Sequence, residues 1–210
     1  MKNLKFISVV FATLFYTTYG LSQAINCLSF NGTNDYVEAD NISLNNIANT
    51  DFTFEAIVRG DESLQSQHPQ IFSNRPNAGQ GTMFFFHGVC GGSNHKLLCV
   101  QLNGVNHFIM NSGTFNASLL DGNCHHVAIT RQGNVLTFYA DGVAFGSKTI
   151  TGLATTASSG DLWIGQDVPT NNTFEGNVSQ VRNWDDARTG TYVFHVASKT
   201  DIKVVKIMRE

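Results

Sequence analysis

The chain has 210 residues, with 13 basic and 16 acidic side chains and a formal charge of −3; charged residues make up only 14% of it. So sparse and slightly acidic a surface argues against nucleic-acid binding, which needs a basic patch to displace phosphate counterions. Hydrophobic residues reach 42%, enough for one domain with a large core.

Residues 1–24 have the layout of a secretory signal peptide. Lys2 and Lys5 precede an apolar run from Phe6 to Tyr16, and Ser22 and Ala24 supply small residues where the peptidase reads. The run is too short to anchor the chain in a bilayer, and no later run could span one. Cleavage would leave 11 basic and 16 acidic residues, a charge of −5. Asn26 before Cys27 argues against a lipid-modified cysteine.

The remainder reads as short strands: Cys27–Phe30, Tyr36–Ala39, Phe52–Val58, Gln70–Ser73, Met83–His87, Leu97–Leu102, His107–Asn111, Cys124–Arg131, Val135–Ala140, Val143–Ile150, Leu162–Gly165 and Val178–Trp184. Asn31-Gly32, Asn103-Gly104, Gly133-Asn134 and Asp141-Gly142 mark turns, because Asx-Gly pairs accept the positive φ of tight hairpins. In Phe52-Thr53-Phe54 the aromatic rings share one face. Val127 with Ile129, and Leu136 with Phe138 and Ala140, do the same. This period of two buries one face of a sheet. The sixteen phenylalanines are therefore expected mostly in a core, and the fold class is an all-β, two-layer antiparallel sandwich.

Cys27, Cys90, Cys99 and Cys124 allow three disulfide pairings in an exported protein. The short Cys90–Cys99 loop is favoured, leaving Cys27–Cys124; free buried thiols are the alternative. Asn31, Asn34 and Asp35 gather carboxylate and carbonyl oxygens in a glycine turn, a donor set that suits a structural calcium ion. His125 and His126 are adjacent on a strand and should face opposite sides, which argues against a shared metal. Glu55 stands alone on its strand and reads as an acid held by backbone or a neighbouring arginine. No E-x-x-x-E or E-x-D-x-x-E pair, G-x-S-x-G or H-E-x-x-H is present. Trp163, Trp184, Tyr139, His107 and Asn111 offer flat or hydrogen-bonding groups to a ligand, although each also has a structural role open to it. Trp184 is expected to pack the sandwich edge.

Five ordered segments carry a family resemblance. They are Leu28 to Val37 (F-N-G-x-x-D-Y-V), Phe52 to Val58, Cys124 to Gly142, Leu162-Trp163-Ile164-Gly165, and Phe174 to Trp184 (F-x-G-x-V-x-x-V-R-x-W). Together they resemble the laminin-G-like, concanavalin-A-like jelly-roll domains of secreted proteins, over 25–189. Ile57 and Cys124 stand where that family usually has tryptophan, and the latter change is consistent with a Cys124 disulfide. Related domains often hold calcium near the first turn with help from an acid after F-x-G; Ser179 occupies that place here. Segment 190–210, with Gly190 to Val196 and Lys203 to Ile207, is similar to the last hairpin of a type IX secretion sorting domain. It is also compatible with a strand that completes the sandwich.

The resemblance implies a jelly roll that is secreted or displayed at the surface of a Gram-negative bacterium. It further implies a non-catalytic binding or adhesion module for carbohydrate or an extracellular protein. The alternatives are a glycan-degrading enzyme with an unrecognised site and a truncated remnant.

Overall fold

The structure is a computed structural model and describes residues 27–40, 47, 50–88, 95–109, 118–151, 161–185 and 191–193; Asp185 and 191–193 are described by backbone only. The expected signal peptide, Cys90, Asn111 and segment 194–210 lie outside these residues.

Among the described residues the chain forms fifteen strands: β1 (Leu28–Asn31), β2 (Val37–Ala39), β3 (Phe52–Asp61), β4 (Gln70–Ser73), β5 (Thr82–His87), β6 (Leu97–Leu102), β7 (Val105–Phe108), β8 (Asp121–Gln132), β9 (Val135–Ala140), β10 (Val143–Thr149), β11 (Leu162–Ile164), β12 (Gln166–Asp167), β13 (Asn172–Thr173), β14 (Glu175–Asp185) and β15 (Thr191–Val193). A single 3₁₀ turn, Glu62–Leu64, interrupts them. One sheet runs β1-β14-β3-β8-β9-β10, with β15 also on β14. The other runs β2-β11-β4-β5-β6-β7, and β12 and β13 make a small hairpin. All pairings are antiparallel, which gives the expected jelly-roll sandwich.

Alternation sorts the side chains. Along β3 the residues Phe52, Phe54, Ala56 and Val58 are buried, while Thr53, Glu55 and Ile57 face outward. The two sheets meet through aromatic rings. Phe54 of β3 lies 4.9 Å edge-on to Phe72 of β4 and 6.0 Å from Phe84 of β5. Such pairs add about 0.5–1.5 kcal/mol each beyond burial itself. The β6–β7 and β9–β10 hairpins turn at Asn103-Gly104 and Asp141-Gly142, with positive φ at both residues of each pair. That geometry matches the twist of the strands they join.

Gly176 explains the glycine that opens β14. Its φ is +124°, and a Cβ there would lie 2.1 Å from the Arg59 carbonyl oxygen. Only glycine lets β14 lie this close to β3. Three residues on, β14 bulges. Ser179 pairs with Ile57 and Arg182 with Glu55, so three steps on β14 match two on β3, and Gln180 takes φ +50°. The extra residue reverses the facing of everything after it. Val178 and Val181 both point inward, and Trp184 emerges on the outer face at 37% exposure. The expectation that Trp184 packs the sandwich edge is thereby corrected.

The expected Cys27–Cys124 disulfide is also overturned. The register Leu28↔Val178↔Val58↔His125 puts β14 and β3 between the two cysteines. Three strand spacings amount to about 14 Å, and a disulfide needs Cα atoms within roughly 7 Å. Both thiols are free and exposed. Cys99 is buried beside Met83 and Phe85 on the outer side of the second sheet.

Thr191–Val193 pairs with the far half of β14, beyond the half that holds β1. The first residues of segment 190–210 are therefore a strand of the sandwich's own sheet.

Candidate functional site

The outer face of the seven-stranded sheet carries a polar and aromatic cluster centred on Glu55. Register places Arg182, Glu55, Ala128 and Tyr139 in one cross-strand row and Trp184, Thr53, Thr130 and Thr137 in the next. Arg182 Nη1 and Trp184 Nε1 donate to Glu55 Oε1 at 3.0 and 2.9 Å, and His126 Nε2 lies 3.0 Å from Glu55 Oε2. Arg182 Nη2 also donates to Gln180 Oε1 at 2.7 Å. Burial raises the Glu55 pKa, but the bonds from Trp184, Arg182 and His126 outweigh it and hold the carboxyl below its usual value. Glu55 is thus a fixed anion, coordinated through both oxygens.

Beyond the cluster, Asp51, Thr53, Thr130, Arg131, Gln132 and Trp184 border an open cavity of about 360 Å³. Asp51 Oδ1 accepts the Gly133 N–H at 2.6 Å. Arg131 donates from Nε to the Gly133 carbonyl and from Nη1 to that of Ile47, at 2.8 and 3.1 Å. Trp184 is shared by the cluster and the cavity.

The other expected ligand-facing residues separate. Tyr139 lies in the Glu55 row. Trp163 is on the second sheet, buried, and donates to Glu38 Oε1 at 3.2 Å. His107 points between the sheets, opposite Val100, and neither ring nitrogen has a partner among the described residues. Burial, and then the charge of Lys148, push its pKa down to about 4.

His125 and His126 do face opposite sides. While His126 meets Glu55, His125 sits between Asp141 Oδ2 at 2.8 Å and Asp121 Oδ1 at 3.1 Å. Burial lowers the His125 pKa, but these two acids outweigh it and the net shift is upward.

The oxygens expected to bind calcium are used by the turn itself. Asn31 Oδ1 accepts the N–H groups of Thr33, Asn34 and Asp35 at 2.8, 3.1 and 3.3 Å. Asp35 Oδ2 accepts the Asn31 N–H at 3.1 Å, and Asn34 Oδ1 the Asn31 side-chain amide at 2.9 Å. These bonds make an Asx turn that leaves Asp35 Oδ1 outside it, and a calcium ion there would need further oxygens, since it takes six to eight. Among the described residues no group of three or more His, Cys, Asp or Glu side chains could hold a metal ion.

Under the second sheet, Arg75 and Asp167 form a buried ion pair. Arg75 Nε donates to Asp167 Oδ1 at 2.7 Å and Nη2 to Asp167 Oδ2. Ser73 Oγ and Thr170 Oγ1 complete the carboxylate, and Arg75 Nη1 reaches the Ala78 carbonyl at 2.8 Å. This network pins the loop after β4 to the β12–β13 hairpin.

Residues 31–194 match the family described as Concanavalin A-like lectin/glucanases superfamily. No curated protein matches. A heptameric SAP-like pentraxin from Limulus polyphemus is similar in structure, with TM-score 0.55, 18% identity and 76% of each chain covered. Domain 4 of a GH43 extracellular arabinanase from Geobacillus stearothermophilus, solved with arabinotriose, gives TM-score 0.52 at 16% identity, covering 76% of this chain and 70% of that one. A Bacteroides ovatus protein provisionally described as carbohydrate binding gives TM-score 0.53 at 19% identity, covering 76% of this chain and 43% of that one.

Proposed function

Because the chain belongs to the Concanavalin A-like lectin/glucanases superfamily, we propose that it is a secreted, non-catalytic binding module whose ligand is carbohydrate. The observation that carries this is the state of Glu55. A glycosidase acid must hold a proton near neutral pH, whereas Glu55 is held ionised by three donors. A catalytic pair also needs a second carboxyl group about 5–9.5 Å away. The next acid on the same strand face, Asp51, is four residues off, which is about 13 Å along an extended chain. What remains on this face is recognition chemistry: an exposed indole, hydroxyls and amides beside a cavity. The arabinotriose held by the arabinanase domain of similar fold supports the same ligand class. The signal-peptide layout of 1–24 supports export.

A glycan array probed with the processed protein, alongside a reducing-sugar assay on the glycans that score, tests the proposal. Binding without release of reducing ends is the expected result. Turnover of any bound glycan would sink the non-catalytic reading, and no binding to any glycan would sink the carbohydrate reading.

A further inference from the structure

We infer that the cavity beside Trp184 is a subsite for one or two units of a neutral sugar. This rests on the carbohydrate reading above and gives it a place and a ligand chemistry.

The size fits. About 360 Å³ lies at the low end of small-ligand sites, which run from roughly 300 to 1,000 Å³. The wall chemistry fits as well. Trp184 gives its one N–H to Glu55, so its polar edge is occupied and anchored. The ring surface left over is apolar and borders the cavity. A pyranose or furanose ring offers a matching C–H face, and its rim hydroxyls need donors and acceptors. Thr53 and Thr130 stand in the same cross-strand row as Trp184 and present hydroxyls to that rim, with the Gln132 amide beside them. Asp51 uses Oδ1 on the Gly133 N–H, and its Oδ2 has no partner among the described residues. A free carboxylate oxygen beside a flat ring accepts well from a sugar hydroxyl.

Charge decides against an acidic ligand. The cation in the wall is Arg131, whose Nε and Nη1 are turned to the Gly133 and Ile47 carbonyls and whose charge is balanced by the Asp51 carboxylate, so the wall offers no net positive charge. The carboxylate of Asp51 would repel a sulfate, phosphate or uronate. The geometry therefore selects neutral hexose or pentose units over charged ones.

The test uses the processed full chain. Its best-scoring neutral oligosaccharide on a glycan array is titrated calorimetrically against wild type, Trp184→Ala, Asp51→Asn, Thr130→Val and, as a control outside the cavity, Trp163→Phe. Trp184→Ala should weaken binding at least tenfold, and Asp51→Asn and Thr130→Val about three- to tenfold. Trp163→Phe should bind as wild type does. Affinity should hold between 50 and 500 mM salt. Melting curves accompany every variant; if Trp184→Ala fails to fold, Asp51→Asn and Thr130→Val decide the case. Full binding by the folded cavity variants would overturn the subsite and leave the binding-module reading standing. Array hits confined to sulfated or uronic glycans would overturn the neutral-sugar assignment alone. No wild-type hit at all would overturn both.

Discussion

The Trp184 indole donates to Glu55 Oε1 at 2.9 Å across the β14–β3 pair, so one carboxylate sets the orientation of an exposed aromatic ring. Glu55→Ala removes that anchor and strips Arg182 and His126 of their acceptor. A loss of about 1–3 kcal/mol is expected, read by urea unfolding, together with a red-shifted Trp184 emission in a Trp163→Phe background. The Glu55 pKa is depressed on folding, so its contribution is complete above the unfolded value of 4.5 and fades as pH falls through the folded one. An unchanged midpoint and spectrum would refute the anchoring role.

Why Trp184 lies outside was only half legible. Strict alternation from the buried Val178 would turn Arg182 and Trp184 inward. The bulge between Ser179 and Arg182 turns them outward instead, and so assembles the Glu55 cluster. A signal for it was present in V-x-x-V: two inward valines three apart violate a period of two. Without the positive φ at Gln180, that spacing reads as noise. The core strands were easier. Phe52, Phe54, Leu136 and Phe138 announce their face by alternation alone, and the Asx-Gly pairs announce the hairpins. The Cys27–Cys124 pairing failed for a different reason. Sequence order says nothing about how many strands come to lie between two positions, and here β14 and β3 do.

Gly176→Ala should be severely destabilising, because the new methyl group would press on the Arg59 carbonyl and φ is already +124°. A loss above about 3 kcal/mol, or failure to fold, is expected. A variant melting within two degrees of wild type would show that the strand can shift aside.

The buried Arg75–Asp167 pair makes a sharper case. Asp167→Asn or Arg75→Met alone leaves one charge buried and uncompensated, at a cost of about 3–5 kcal/mol. The double change should recover much of that loss. Additive losses in the double-mutant cycle would mean that the two residues are not coupled.

Two histidines should respond to pH in opposite senses. His107 is held neutral with a pKa of about 4. Its share of stability is full above the unfolded value near 6.5 and falls as pH drops from there toward 4. Replacing it by leucine removes two unpartnered nitrogens, which should stabilise the fold by about 1–3 kcal/mol and flatten that slope. His125, raised by Asp141 and Asp121, stabilises fully below about 6.5, and its share is lost as pH rises through the folded value. An NMR titration placing the His125 midpoint below 6.5, or that of His107 at or above it, would contradict the corresponding assignment.

Cys27 and Cys124 should react with iodoacetamide without prior reduction, and Cys27→Ser should leave the melting temperature unchanged, since both thiols are free and exposed. Intact mass spectrometry gives the answer directly: a two-dalton deficit that maps to this pair would mean the strands between them had moved.

Strand β14 accepts β1 on one half of its length and β15 on the other half of the same edge. The border of the seven-stranded sheet therefore waits for Val193 to leave the ribosome, long after Leu28 has emerged. Until then bare amides and carbonyls line half of β14, and a sister chain could zip onto them. Removing Thr191–Val193 would therefore leave that half of the edge open to pairing with a sister chain.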